Sequence, residues 1–166
     1  MFGRIGTGIS FESGGSQLGA EKQVKIRRAD ESDLPAVMAI EEKSFPSAWT
    51  VDFFRHEMYN PLSHFFVATF AKIVVGYIVF WVIADESHIA NLAVHPDYRR
   101  HDLGDNLLKF AIHFSRSKGA KMITLEVNEK NVAAFALYEK NEFKQVGKRI
   151  KYYENRDDAF ILTRIL

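Results

Sequence analysis

The 166-residue chain contains no cysteine, which excludes a disulfide framework, a thiolate-held zinc site and a cysteine nucleophile. An excess of one charge is also lacking: 22 basic against 21 acidic side chains leave a formal net charge of +1. The composition therefore points neither to a globally basic nucleic-acid binder nor to an acidic solvating tail. Long hydrophobic runs are missing too. The longest, Ile73 to Ala84, is interrupted by Gly76 and is too short to span a bilayer. No cationic start leads into a continuous apolar core, so no secretory signal is expected. These absences predict a soluble, cytoplasmic protein with no membrane contact and no direct nucleic-acid partner.

Glycine is unevenly spread. Six of the ten (Gly3, Gly6, Gly8, Gly14, Gly15 and Gly19) precede Val24, among serines and without apolar periodicity. Residues 1–23 are expected to be a flexible leader. The chain from Val24 onward is ordinary globular material, and the whole sequence is 47% hydrophobic and 26% charged. At about 150 residues per domain this makes one domain.

From Val24 the elements come quickly. Val24 to Arg27 alternates as a short strand. Asp30 opens a helix that tolerates Pro35 in its first turn and ends near Ser44. After a Phe45–Trp49 loop, Thr50 caps a second helix, which Asn60-Pro61 stops. His64–Phe70, Ile73–Ile83 and His88–Val94 read as a three-strand meander, with turns at Ala71-Lys72 and Asp85–Ser87. Leu103, Leu107, Phe110, Ala111 and Phe114 give the clearest helical stripe, closed by Lys118-Gly119. Lys121–Val127 is a strand, Asn131–Lys140 a helix, and Glu142–Ile150 and Ala159–Ile165 are strands. The order predicts an α/β protein: a mixed central β-sheet with helices on its faces.

One passage carries chemistry by itself. Between the strand ending at Val94 and the helix starting at Leu103, a short loop leads into a helix N-terminus, where backbone N–H groups lack intrahelical partners. Such a site suits phosphate, and Arg99, Arg100 and His101 add cationic side chains. The same loop also reads as a solvated turn capped by Asp102 and Asp105. The six histidines show no ligand spacing, so no metal is expected. Glu41-Glu42 and Asp157-Asp158 are expected to be solvated charges.

The stretch Arg99 to Gly104 resembles the acetyl-coenzyme A motif of the GNAT family of N-acetyltransferases, Gln/Arg-x-x-Gly-x-Gly/Ala. Arg99 matches its first position and Gly104 its last, while Asp102 stands where the first glycine belongs. The Phe45-Pro46 loop, Leu125-Glu126-Val127, Asn131 to Glu139, Lys151-Tyr152-Tyr153 and Asp157-Asp158-Ala159 extend the likeness over residues 24–166. Together they resemble the ribosomal-protein-alanine N-acetyltransferases of the RimI type. The resemblance implies the GNAT (acyl-CoA N-acyltransferase) fold and acetyl-CoA as co-substrate. It also implies a protein or peptide N-terminus as acceptor, with a ribosomal protein as the leading partner.

The resemblance further assigns roles. Glu126 would be the general base and Tyr138 the acid that protonates the leaving thiolate. Leu92, Ala93 and Val94 would hold the pantetheine by their backbone. Arg99, Arg100, His101, Asp102, Leu103, Gly104 and Asp105 would hold the phosphates, and Asn131 the coenzyme arm. Phe45, Pro46, Trp49, Tyr152 and Tyr153 are expected to be loop residues lining the acceptor groove. Asp102 sets a carboxylate beside an anion, where like charges at about 4 Å repel by about 4 kcal/mol at an effective dielectric near 20. It is also placed to cap the helix and compete for the same N–H groups, so weakened rather than abolished binding is expected. Two alternatives stay open: acetylation of another amine, such as a lysine side chain, polyamine or aminoglycoside, and a non-catalytic binding module.

Overall fold

Two periodicities decide the architecture: alternate-residue burial along the strands and one apolar stripe along the longest helix. The computed structural model describes residues 9–10 and 23–166. Among these, eight strands form one sheet: β1 (Ile9–Ser10), β2 (Lys25–Arg28), β3 (Ser63–Phe70), β4 (Ile73–Ile83), β5 (Glu86–Val94), β6 (Met122–Asn128), β7 (Lys144–Tyr153) and β8 (Asp157–Ile165). Their spatial order is β1-β2-β3-β4-β5-β6-β8-β7. Helices α1 (Leu34–Ser44) and α2 (Val51–Tyr59) cover one face, and α3 (Leu103–Ser117) and α4 (Val132–Lys140) the other. The expected mixed sheet with helices on both faces is observed. Within the segment expected to be a leader, Ile9–Ser10 instead pairs antiparallel with Ile26 and Lys25. The rest of that expectation, up to residue 22, lies outside the described residues.

Local chemistry sets the boundaries. Asp30 Oδ1 accepts from the Ser32 N–H at 2.9 Å, and Asp33 Oδ2 accepts from the Asp30 N–H at 2.9 Å. This reciprocal cap precedes α1, and the Arg27 guanidinium locks it by donating to both Asp33 oxygens at 2.7 Å. Thr50 Oγ1 accepts from the Phe53 N–H at 3.2 Å and starts α2. Ala71 and Lys72 both take positive φ, 48° and 67°, which matches the twist of the β3–β4 hairpin. The next turn is confined to Ala84-Asp85, so β5 begins at Glu86, two residues earlier than expected.

Burial divides cleanly between the faces. Leu107, Leu108 and Ala111 of α3 pack on Ile78, Ile123, Leu125 and Leu162. Val37 and Ile40 of α1 and Phe54 of α2 pack on Phe65, Tyr77, Val79 and Ala93. Each such large side chain contributes about 1.5–3 kcal/mol by leaving water.

The functional consequence lies at the joint between β5 and β6. It is parallel, and it runs only from Glu86↔Met122 to Ile89↔Leu125. Beyond it β5 stays on β4 as far as Val94↔Gly76, while β6 stays on β8 as far as Asn128↔Ala159. The two strands part into a fork. A bulge helps: Asn91 pairs with Val79 and Ile89 with Phe80, leaving Ala90 unpaired and β5 bent. Gly76 permits this bend, because a Cβ there would meet the Ala93 carbonyl oxygen at 3.0 Å and Leu107 Cδ1 at 3.2 Å.

Candidate active site

Strand pairing leaves the fork lined with backbone polar groups. The His95 N–H donates to the Val75 carbonyl at 2.9 Å. Alternate residues of an antiparallel strand face the same neighbour, so Leu92 and Val94 turn their N–H and C=O groups the other way, into the fork. The Val94 carbonyl accepts from Arg99 Nε there at 3.1 Å. Ala93 buries its side chain on the α1/α2 face, whereas Leu92 and Val94 lean on the α3 cluster.

The loop entering α3 supplies the second polar surface. Arg100 and Asp102 take positive φ, 64° and 55°, and such changes of hand turn successive N–H groups to one side. The first helical backbone bond runs from the Asn106 N–H to the Asp102 carbonyl. Among the described residues, nothing accepts from the N–H groups of Arg100 through Asp105. The expected competition from Asp102 is therefore not seen. Its exposed side chain makes no capping bond, and its backbone occupies the left-handed region that a glycine would enter freely. Aspartate tolerates that region better than most residues.

The cationic side chains divide. Arg100 and His101 are exposed on the loop. Arg99 is drawn back, its Nη2 lying 3.3 Å from Ser44 Oγ, so it ties the end of β5 to the end of α1. The Asp105 carboxylate is also spoken for. It accepts from Asn141 Nδ2 at 2.7 Å and from Lys109 and Lys140 at 2.8 and 3.3 Å. What Leu103, Gly104 and Asp105 offer an anion is their backbone. Gly104 faces Leu137 and Val94, where a Cβ would make ordinary contacts at 3.4 and 3.8 Å.

Glu126 is the first β6 residue past the parallel ladder, on the face toward α1 and α2, since Ile123, Leu125 and Val127 fill the opposite cluster. It lies 3.0 Å from His88 Nε2 and 3.1 Å from Arg149 Nη2. The His88 hydrogen bond, with the charge of Arg149 adding to it, holds its carboxyl below the usual range despite partial burial. Tyr138 approaches from α4, buried against Phe143. Burial and the neighbouring Tyr153 push its hydroxyl up, so it stays protonated. It makes no hydrogen bond to another described residue. Burial raises Tyr153 to about 12, with the charges of Tyr152 and Glu126 contributing. Asn131 uses Oδ1 to cap α4 through the Ala134 N–H at 3.1 Å, leaving its amide nitrogen outward.

The acceptor side is assembled from distant segments. Phe45 and Trp49 pack on the α1/α2 cluster, and Trp49 rests on Phe53 with ring centroids 4.4 Å apart. Pro46 is exposed beside them. Tyr152 and Tyr153, expected in a loop, instead end β7. Glu154 and Asn155 take the positive φ values that make the turn tight, and Lys151 takes one at the register shift within β7. Across the mouth, Ser47 Oγ donates to Glu154 Oε1 at 2.8 Å, joining the α1–α2 loop to the β7–β8 turn.

Two further expectations need correcting. Glu41 is not solvated: it is 1% exposed and accepts from the Trp49 N–H at 2.8 Å, from Asn91 Nδ2 at 3.2 Å and from the Tyr77 hydroxyl. Asp157 and Asp158 are half-buried and pair with Lys130 and Lys148. His88, Arg149, Trp81 and Glu41 were not legible as site residues. Only strand pairing brings the first three together.

Comparison with known proteins agrees with this geometry. Residues 34–143 match the model of the acetyltransferase (GNAT) family. A Bacillus subtilis (strain 168) protein named a putative ribosomal protein bS18-alanine N-acetyltransferase is 36% identical over 82% of this chain and 92% of its own length. The ribosomal protein bS18-alanine N-acetyltransferase of Escherichia coli (strain K12) is 32% identical over 83% and 95%. The crystal structure of the ribosomal-protein-S18-alanine N-acetyltransferase from Escherichia coli superposes with a TM-score of 0.80 over 86% of this chain and 93% of that one, at 31% identity. A fork between β5 and β6, free N–H groups at the entrance to α3 and these relatives have one reading: the chain is an acetyltransferase of the GNAT family.

Proposed function

We propose that the protein transfers the acetyl group of acetyl-CoA to the N-terminal α-amine of a protein, and that the N-terminal alanine of ribosomal protein bS18 is its acceptor. The observation that carries this reading is the fork itself, with a row of unpartnered N–H groups leading to it and a carboxylate at its vertex. The backbone N–H groups of Arg100 to Asp105 suit a pyrophosphate, with Arg100 and His101 beside them. The backbone of Leu92 and Val94 suits an amide-bearing arm laid along β5. A thioester there supplies an acyl group activated for attack by an amine.

The chain's own residues then divide the proton work. Glu126, facing the acceptor side, takes a proton from the α-ammonium through water. An α-amine titrates at about 7.7–8.0 against about 10.4 for lysine, so a carboxylate base suits it better. Tyr138, kept protonated by burial, donates to the departing thiolate. Phe45, Pro46, Trp49, Tyr152 and Tyr153 flank the entering chain end. The 36% and 32% identical relatives carry the bS18 assignment.

The test is a panel of acceptors with acetyl-CoA: a peptide with the bS18 N-terminus, the same peptide N-terminally blocked, a lysine peptide, a polyamine and an aminoglycoside. Acetylation of the free N-terminus alone, located by fragmentation mass spectrometry, is the expected result. Transfer to the blocked peptide or to a small amine would replace this reading with an acetyltransferase of another amine. Binding of acetyl-CoA with no transfer to any acceptor would replace it with a binding module.

A further inference from the structure

Acetylation of an α-ammonium releases one net proton. The amine gives up two, and the thiol formed from the leaving group retains one. The other must leave the vertex of the fork, where Glu126 is only 11% exposed in its side chain. Behind Glu126 stands a group suited to take it. His88 of β5 pairs with Thr124 of β6, inside the parallel ladder and one step back from the fork. Its imidazole lies on the same face as Glu126, with Nε2 at 3.0 Å from Oε2, and its side chain is 33% exposed.

The ring is held in place from two directions. Trp81, the cross-strand partner on β4, stacks on it with centroids 5.6 Å apart and planes 20° from parallel. Trp81 is itself fixed, since its indole N–H donates to Glu57 Oε2 of α2 at 2.7 Å, and Glu57 is 3% exposed. The other oxygen of Glu126 faces Arg149 Nη2 at 3.1 Å. The groups facing the imidazole are therefore Trp81 from β4 and Thr124 and Glu126 from β6. Arg149 of β7 acts beyond Glu126, and Glu57 of α2 beyond Trp81.

We propose that His88 is the positioning residue and proton outlet of Glu126, conducting the released proton from the fork to solvent. This rests on the acetyl transfer proposed above. In the step, the amine nitrogen bonds to the acetyl carbon and the carbon–sulfur bond breaks. At rest Nε2–H donates to Glu126. From the other neutral tautomer, with Nδ1–H and a bare Nε2, one amine proton passes through water to Glu126 and on to His88 Nε2. The Nδ1–H is released to water, which restores the resting hydrogen bond. The second amine proton replaces the one Tyr138 gives to sulfur. Exchange with solvent resets the imidazole tautomer. The paired Arg149 favours this traffic, because a carboxylate so held does not retain the proton. His88 does not reach the reacting atoms and acts through Glu126.

His88→Gln preserves a polar partner for Glu126 but carries no proton. Steady-state acetylation of the bS18 peptide is measured from about pH 6 to about pH 9, with melting temperature and acetyl-CoA affinity as controls. The expected result is a roughly tenfold lower kcat with unchanged KM for acetyl-CoA and a reshaped acid limb of the kcat profile. Added imidazole should partly restore His88→Ala and leave His88→Gln unmoved. A wild-type profile in His88→Gln, or a folded His88→Ala that imidazole fails to rescue, would overturn the proposal. A Glu126→Gln variant at full rate removes the base assignment, and with it the outlet. A parent enzyme that never acetylates the peptide removes the reading beneath both. An impaired Glu126→Gln beside a wild-type His88→Gln sinks the outlet alone.

Discussion

The two ends of the fork are built on opposite plans. At the entrance to α3, the polar groups aimed outward are backbone N–H groups without partners among the described residues. Around Glu126 the polar side chains are already engaged with one another: His88 and Arg149 on the carboxylate, Trp81 on His88, and Glu57 on Trp81. The first plan, in the function proposed above, receives an anion by charge and shape alone. The second is preorganised, its groups held before any substrate arrives, as proton transfer requires. A common co-substrate is matched by backbone that any sequence supplies. In the reaction proposed above, proton handling falls to particular side chains.

That contrast predicts unequal responses to mutation. The largest effect belongs to Glu126→Gln, which keeps the shape and removes the basic group. A loss of about 10²-fold or more in kcat, with acetyl-CoA affinity unchanged by titration calorimetry, is expected. Parallel loss of coenzyme binding would show that the two ends are not separable. Tyr138→Phe comes next. Its hydroxyl bonds to no described residue, so kcat should fall by about 10–10²-fold with the melting temperature unmoved. A clear drop in melting temperature would make the hydroxyl structural.

Asp105→Asn probes the seam between α3 and α4 and should cost about 1–3 kcal/mol in urea unfolding at pH 7, since the carboxylate receives charged donors. Burial pushes the Asp105 carboxyl up, but its hydrogen bonds from Asn141, Lys109 and Lys140 outweigh this and hold it below the ordinary value. Its stabilisation is therefore complete above about pH 4 and lost as pH falls through the folded value. The wild-type and Asp105→Asn unfolding midpoints should converge in acid. A gap that persists there would assign the cost to packing. The smallest effect belongs to Asp102→Gly, which removes an exposed, solvent-screened charge and a strained φ. Acetyl-CoA should bind about three- to tenfold more tightly by titration calorimetry. Unchanged affinity would mean that Asp102 lies clear of the phosphates.

The same contrast explains what was legible in the sequence. The α3 stripe, the Thr50 cap and the Ala71-Lys72 turn depend on neighbours a few residues away, and they appeared where expected. The loop at Arg99–Asp105 was legible because a strand–loop–helix passage exposes N–H groups whatever the rest of the chain does. Glu41 was misread because beside Glu42 it looks like a solvated pair, and its donors come from Trp49, Tyr77 and Asn91 on other elements. The reach of Arg99 to Val94 and Ser44 was hidden because it depends on where α1 ends against β5. His88 went unnoticed for a similar reason: it meets Glu126 only through the parallel pairing of β5 with β6. The tight turn after Tyr153 was hidden because left-handed Glu154 and Asn155 replace the usual glycine.

The short parallel joint also bears on how the molecule assembles. The β3–β4, β4–β5 and β7–β8 ladders close between near neighbours in the chain, and such closures are fast. The β5–β6 joint brings Ile89 to Leu125 across the whole of α3, over only four residue pairs. Loop closure of that length is entropically dearer, and few contacts reward it. The hairpins are thus expected to form early, and the long-range β2–β3 and β5–β6 joints, the second carrying Glu126 and His88 at its vertex, to close later. Acetyl transfer during refolding should consequently return with the slowest phase, after most strand signal has been regained.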